Sequence, residues 1–382
     1  MHLVDTTLFY SPTSGGVKRY LTAKHAWLRA HTTWQHTIVV PGERERIERG
    51  GVSMLRAWRL PGTFNYRLPL RPNHWANVLD RLEPDLIEVG DAFHSAWSSW
   101  RAAERRGIPL AAFYHSNLPQ IIGYRLGRLS ERAVERYIRN LYARCDAVFA
   151  PSRIMCEFLR GIGVPHAVYQ PLGVDTEIFH PERRRYDLRA RLSLPRGARI
   201  VVFAGRFAEE KNIPVLLHAM RLLGRPYHLL LIGGKRRARP TPELTLMPYC
   251  GDSAELACWI ASADALVHAG DRETFGLVIL EAMACARPVV AARAGALPEL
   301  VDESVGMLAE PMSAHSMAAA IAGLYRRDLD EVGRAGRAKV LREFTWARVL
   351  QSQLATYASL AVGHRVPVDD GAQVGLSSPT PP

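Results

Sequence analysis

Short, uniformly apolar runs alternate with longer amphipathic stretches along almost the whole chain. The runs predict strands at Leu3–Asp5, Thr37–Val40, Asp85–Val89, Leu110–Tyr114 and Ala147–Ala150, and again at Ile200–Ala204, Leu229–Ile232, Ala265–His268 and Val289–Ala291. The amphipathic stretches predict helices, among them Val17–Ala30, Ser313–Tyr325 and Thr345–Ala361. Strands without polar alternation are buried on both faces, so the pattern predicts parallel sheets covered by helices, an α/β fold. The polar, proline-bounded segment Pro181–Gly197 interrupts the alternation and reads as a linker with a short helix. Two Rossmann-like units in tandem follow, one over 1–180 and one over 181–344. Residues 364–382 lack periodicity and are expected to be disordered.

Composition narrows the picture. The 382 residues suffice for two domains, and 48% hydrophobic with 23% charged residues is globular usage. Five cysteines form no Cys-x-x-Cys pair, which predicts reduced thiols in a cytoplasmic protein. The N-terminus has no basic segment leading into an apolar one, and no apolar run approaches the roughly 18 residues of a membrane span. A cytoplasmic, at most peripherally membrane-bound protein is expected. The net charge of +12 suits an anionic partner: nucleic acid, anionic lipid or a phosphorylated small molecule. Arginine-rich solvated faces are the plain alternative.

Doubly wound sheets bind ligands at the carboxyl ends of their strands. The strand ending at Ala204 runs into Gly205 and Arg206, with Lys211 five residues on. A guanidinium and an ammonium there fit a diphosphate; a solvated loop with two cations is the alternative. After Ala265–His268, a helix is predicted from Thr274 or Phe275, its free N–H groups suited to a phosphate oxygen. Glu273 would stand at its mouth and Glu281 about 12 Å further along. Glu273 could simply compensate the helix dipole, whereas Glu281 lies in an apolar stretch and needs a partner. In the first unit His115 follows Leu110–Tyr114, and Asp91 and His94 follow another strand. His115 is either a core histidine or a cleft residue, and Asp91 and His94 are candidates for an acceptor cleft.

Taken together, Glu273-x7-Glu281, Gly205-Arg206-x4-Lys211 and Gly15-Gly16 resemble a retaining glycosyltransferase of the GT-B fold, family 4. Pro151-Ser152-Arg153, Leu172-Gly173-Val174-Asp175, Gly251-Asp252 and Phe344-Thr345-Trp346 fall in the same order as in that family. The resemblance implies a nucleotide-sugar co-substrate without a metal cofactor. Arg206, Lys211 and the amides near Phe275-Gly276 would hold the leaving diphosphate, with Gly15-Gly16 approaching from the first domain. Glu273 would bind donor-sugar hydroxyls, Glu281 the ribose, Tyr249–Gly251 the base, and His115 would face donor sugar and acceptor. The helix 345–361 would return to the first domain. A Pro-Ser pair common before the first glutamate is replaced here by His268-Ala269-Gly270-Asp271, so a hydroxyl contact is missing.

Gly123–Cys145 carries six arginines and two glutamates around an apolar stripe. It reads as a basic amphipathic helix for a membrane surface, or as a plain surface helix. With the FYSPTSGGVKRY and FYHSNLP segments, it resembles family members that glycosylate membrane lipids such as diacylglycerol. Rival readings are a polysaccharide or lipopolysaccharide glycosyltransferase, a GT-B nucleotide-sugar epimerase, and a basic nucleic-acid-binding protein.

Overall fold

The computed structural model describes residues 1–10, 15–59, 67–69, 72–234, 241 and 243–363. The 364–382 tail, and residues 11–14 of the opening segment, lie outside the described residues. Seven strands form the first sheet: β1 (His2–Thr6), β2 (Gln35–Gly42), β3 (Val52–Arg56), β6 (Leu86–Val89), β7 (Leu110–Phe113), β8 (Ala147–Ala150) and β9 (Ala167–Tyr169); β4 (Trp58–Arg59) and β5 (Arg67–Leu68) make a short antiparallel ribbon. The second sheet holds β10 (Arg199–Ala204), β11 (Tyr227–Gly234), β12 (Leu244–Pro248), β13 (Ala265–His268), β14 (Val289–Ala292) and β15 (Gly306–Ala309).

Both sheets are parallel and doubly wound. Their orders are β3-β2-β1-β6-β7-β8-β9 and β12-β11-β10-β13-β14-β15. The order reverses between β1 and β6 in the first and between β10 and β13 in the second, so each domain has one crevice where a ligand is expected. The strands read as continuous apolar runs because helices cover both faces; Ile200, Val201, Val202 and Phe203 of β10 are all fully buried.

The Pro181–Gly197 segment is not a free linker. It forms a 3-10 turn (Pro181–Arg183) and a short helix (Leu188–Arg191) that dock on the second domain. Arg189 donates two hydrogen bonds to the Asp264 carboxylate at 3.0 and 2.9 Å, and Tyr186 packs on Trp259 with ring centroids 4.7 Å apart. Charged side chains hid this packing from a hydrophobicity pattern.

The last helix, Trp346–Ala361, is capped by Thr345 and lies on the first domain. A buried polar knot fixes it there. The Lys24 ammonium sits 2.9 Å from Asp5 of β1, 3.0 Å from Glu88 of β6 and 2.7 Å from the Tyr357 hydroxyl. Gln353 donates to Glu88 at 3.1 Å and to the Tyr20 hydroxyl at 2.6 Å, and Tyr357 donates to Glu88. Burial pushes the Glu88 carboxyl up, and Lys24 opposes the shift. One apolar cluster also runs from Leu3, Phe113 and Phe149 through Leu172, Val174 and Phe344 to Ile200, Leu230 and Leu280, so the domains share a core.

Replacing Lys24 with Met would leave two carboxylates buried without their cation. The expected loss is about 3–5 kcal/mol of unfolding free energy, read by urea denaturation.

Candidate functional site

The two sheets present their carboxyl ends to one cleft of about 430 Å³. That volume is in the range of small-molecule sites. From the first domain it is lined by Gly15, Gly16, Arg19, His115 and Ile121; from the second by Arg206, Lys211, Tyr249, Glu273 and Glu281, among others. Phe275 and Gly276 also line it, whereas Gly251 is exposed just beyond the lining residues Tyr249 and Cys250. Ten of the eleven residues named above for donor or catalytic roles therefore share one cleft, though they come from six separate stretches of chain. Asp91 and His94 do not line it. Asp91 is buried and accepts from the amides of Leu8 (2.6 Å) and Phe93 (2.9 Å) and from the Ser95 hydroxyl (2.6 Å), so it organises loops beside β1 and β6.

The helix carrying Glu281 starts later than its sequence suggests. It spans Leu277–Ala284, because Gly276, at φ 105°, turns the backbone into a left-handed conformation that stops helix at that point. Glu273 is therefore in the preceding loop, and the two glutamates do not stand along one helix axis. Gly295 lies against that loop: a Cβ there would come within 2.5 Å of the Glu273 carbonyl oxygen. Ala296 N–H donates to the same carbonyl at 3.0 Å, fixing the loop from behind.

Glu273 is held by two groups. Lys211 donates to its Oε1, and His268 Nε2 lies 3.1 Å from the same oxygen. Gly270 N–H donates to His268 Nδ1 at 3.1 Å, so Nδ1 accepts and Nε2 is the donor toward Glu273. Burial pushes the Glu273 carboxyl up, but Lys211 and the hydrogen bond from His268 outweigh it and hold the group well below the ordinary carboxylate range. Sequence reasoning noted His268–Asp271 only for a missing hydroxyl. Its position at the carboxyl end of β13 was the available signal.

His115 stacks on Phe113 with ring centroids 4.3 Å apart and tilts toward Tyr20 at 5.3 Å. Its Nε2 is buried with no hydrogen-bond partner. Burial lowers its pKa to about 4, so the ring is neutral at pH 7.

Several contacts set the register of the domains across the cleft. The Thr274 hydroxyl donates to the His115 carbonyl at 2.9 Å, and Ser152 Oγ donates to the Thr274 carbonyl at 2.9 Å. The first two amides of the Arg153–Gly161 helix, Arg153 and Ile154, donate to the Glu299 carboxylate of the second domain at 2.8 and 2.9 Å. A carboxylate is a favourable cap for free helix N–H groups. Arg19 pairs with Glu281, and Gly16 lies against Leu277, where an added Cβ would meet Leu277 Cδ1 at 3.2 Å. Arg272, beside Glu273, lies 3.9 Å from the centroid of the Tyr124 ring. Thr274, Glu299 and Arg19 were not singled out from sequence. Arg19 alone left a trace, since three residues after Gly16 on a helix is the same face.

The stretch Gly123–Cys145 is two helices, Leu118–Leu126 and Arg128–Tyr142, broken at Gly127 with φ 87°. Their junction is exposed and apolar: Tyr124 is 58%, Leu126 71% and Leu129 82% accessible. Among the described residues no helix is long and apolar enough to cross a membrane.

Residues 14–178 match the family model for glycosyltransferase family 4, and residues 198–327 the model for glycosyl transferases group 1. A GDP-mannose-dependent alpha-(1-6)-phosphatidylinositol dimannoside mannosyltransferase from Mycobacterium tuberculosis is 31% identical, over 96% of this chain and 98% of its own. The chain belongs to the family 4 (group 1) glycosyltransferases. A GDP-mannose-dependent alpha-mannosyltransferase, also from M. tuberculosis, is 32% identical over 84% of this chain and 85% of its own. The fold matches a sucrose-phosphate synthase from Thermosynechococcus elongatus with TM-score 0.78 at 22% identity, covering 95% of this chain and 99% of that one. The protein is a GT-B glycosyltransferase that uses a nucleotide sugar.

Thr274→Val removes the hydroxyl that holds the His115 carbonyl. One neutral hydrogen bond is worth about 0.5–1.5 kcal/mol, so turnover is expected to fall about two- to tenfold in steady-state assays, with Thr274→Ser near wild type. Acid titration checks His115. Its folded pKa lies below the ~6.5 of an unfolded histidine, so its contribution to stability is complete above that pH and is lost as pH falls through about 4. His115→Asn is expected to flatten that part of a melting-temperature profile.

Proposed function

We propose that the protein is a retaining mannosyltransferase that moves mannose from GDP-mannose to a hydroxyl of a membrane glycolipid, without a metal. The observation that carries this reading is the cleft in which Arg206, Lys211, Glu273 and Glu281 meet His115 from the opposite domain. The full-length likeness to a GDP-mannose-dependent phosphatidylinositol dimannoside mannosyltransferase supports the donor and the acceptor class.

Cleavage of the sugar–phosphate bond builds negative charge on the diphosphate and positive charge on the sugar ring. Arg206, Lys211 and the amides at Phe275-Gly276 stabilise the first; fixed donors in a low-dielectric cleft do this with little reorganisation. Lys211 has three N–H donors, so holding Glu273 leaves others for phosphate oxygens. Glu273, kept ionised, accepts from hydroxyls of the donor sugar and fixes the ring. Glu281 accepts from the ribose, and Tyr249 with Cys250 and Gly251 forms the wall beside the base. The acceptor hydroxyl attacks from the face the diphosphate leaves, its proton passing to the departing phosphate oxygen. Neutral His115 hydrogen-bonds a sugar hydroxyl and keeps water from the anomeric carbon.

The exposed tip formed by Tyr124, Leu126 and Leu129 suits an anionic bilayer. Arg125, Arg128, Arg132 and Arg136 are exposed around it, and Ile121 and Arg125 line the cleft, so docking there would bring a lipid headgroup to the site. Each cation near such a surface is worth about 1 kcal/mol.

Glu273→Ala and Lys211→Ala are each expected to lower transfer at least a hundredfold, matching ~3 kcal/mol for a lost stabilising group, in protein that circular dichroism shows to be still folded. A thermal-shift panel of GDP-mannose, GDP, UDP-glucose and UDP, followed by transfer to phosphatidylinositol mannosides or diacylglycerol, tests donor and acceptor. Stabilisation by uridine nucleotides alone would reject GDP-mannose. Leu126→Glu with Leu129→Glu is expected to abolish sedimentation with phosphatidylglycerol vesicles while sparing donor binding. Unchanged sedimentation would remove the membrane face.

A further inference from the structure

Glu281 is a carboxylate in an unusual position. Its side chain is 3% exposed, on a helix whose neighbours Ile279, Leu280, Ala282 and Met283 are buried. Burial pushes its carboxyl up, and the opposing charge comes from the other domain. That charge is Arg19, in the first turn of the Gly16–His31 helix, paired with Glu281 Oε1. The second oxygen, Oε2, is buried and has no partner. Both residues line the cleft, as do Tyr249 and Cys250.

A buried carboxylate with one oxygen paired and one bare is a half-filled acceptor. The bare oxygen needs a donor from a ligand, and the paired oxygen fixes where the bare one points. Because Gly16 packs on Leu277 four residues before Glu281, the guanidinium reaches Glu281 only when the two domains meet.

Resting on the proposed ribose contact of Glu281, we infer that Arg19 is a positioning residue: it aims Glu281 Oε2 at the ribose hydroxyls of the nucleoside diphosphate and makes that recognition depend on domain apposition. The ribose fills the carboxylate from one side while the first domain fills it from the other.

Calorimetric titration separates this role from a general one. GDP and UDP, and their 2′,3′-dideoxy analogues, are titrated into wild type, Arg19→Ala, Arg19→Lys and Glu281→Gln. For the nucleotide that binds, wild type is expected to prefer the ribonucleotide about tenfold or more. Arg19→Ala is expected to lose that preference by weakening the ribonucleotide alone, leaving the dideoxy analogue within twofold, and Arg19→Lys to regain part of it. Arg19→Ala/Glu281→Gln is expected to match Glu281→Gln, which also covers any loss of folding caused by an unpaired Glu281. Equal weakening of both nucleotides by Arg19→Ala would place the guanidinium on the phosphates and overturn the inference, as would no change in either. If Glu281→Gln erases the preference and Arg19→Ala keeps it, the inference fails while the ribose contact stands. If Glu281→Gln keeps the preference, or no nucleotide binds, the ribose reading falls and the inference with it.

Discussion

A carboxylate taken out of water has to be met by a cation or by N–H and O–H donors, and this molecule is organised around meeting that demand at long range. Glu88 gathers Lys24, Tyr20, Gln353 and Tyr357, which draws the last helix onto the first sheet. Glu299 receives two amides from the opposite domain. Glu281 receives Arg19, also from the opposite domain, and Glu273 receives Lys211 and His268. Apart from His268 beside Glu273, each pairing joins pieces of chain that sequence leaves far apart. The Glu281 and Glu299 pairs cross between the domains and hold the carboxyl ends of two parallel sheets face to face across the cleft.

The chemistry follows from where the reversal in strand order occurs. In each sheet the order turns at one point; the segments after β1, β10 and β13 beside those turns supply Gly15, Arg206 and the Glu273 segment, and the loop after the neighbouring β7 supplies His115. A single sheet would offer only one wall of the cleft. Two sheets opposed across a cleft can grip a diphosphate from one side and present a second substrate from the other. Glycosyl transfer needs both at one carbon atom.

Much of this was legible in the residues. Continuous apolar runs such as Ile200–Ala204 announced the strands, and the ligand rule for doubly wound sheets pointed to the residues after them. Arg206, Lys211, Glu273 and His115 were marked that way as candidates, as local signals beside strand ends, and they line one cleft. What escaped were residues defined by partners 146 to 262 positions away: Arg19 against Glu281, Thr274 against His115, Glu299 against Arg153. No local pattern encodes a contact between two domains. The helix start was misplaced for a different reason, since the left-handed turn at Gly276 is a backbone property that its apolar neighbours do not reveal. Asp91 misled because an acid at a strand end satisfies a loop as well as a ligand.

The buried knot around Glu88 has a bearing on how the chain is made. Tyr357 lies 269 residues beyond Glu88, with the whole second domain threaded between them. A ribosome releasing the chain exposes the first sheet early, yet the hydroxyl that closes its polar centre emerges only after the second domain. The first domain is thus synthesised before the second and completed after it, so its maturation waits on its younger neighbour.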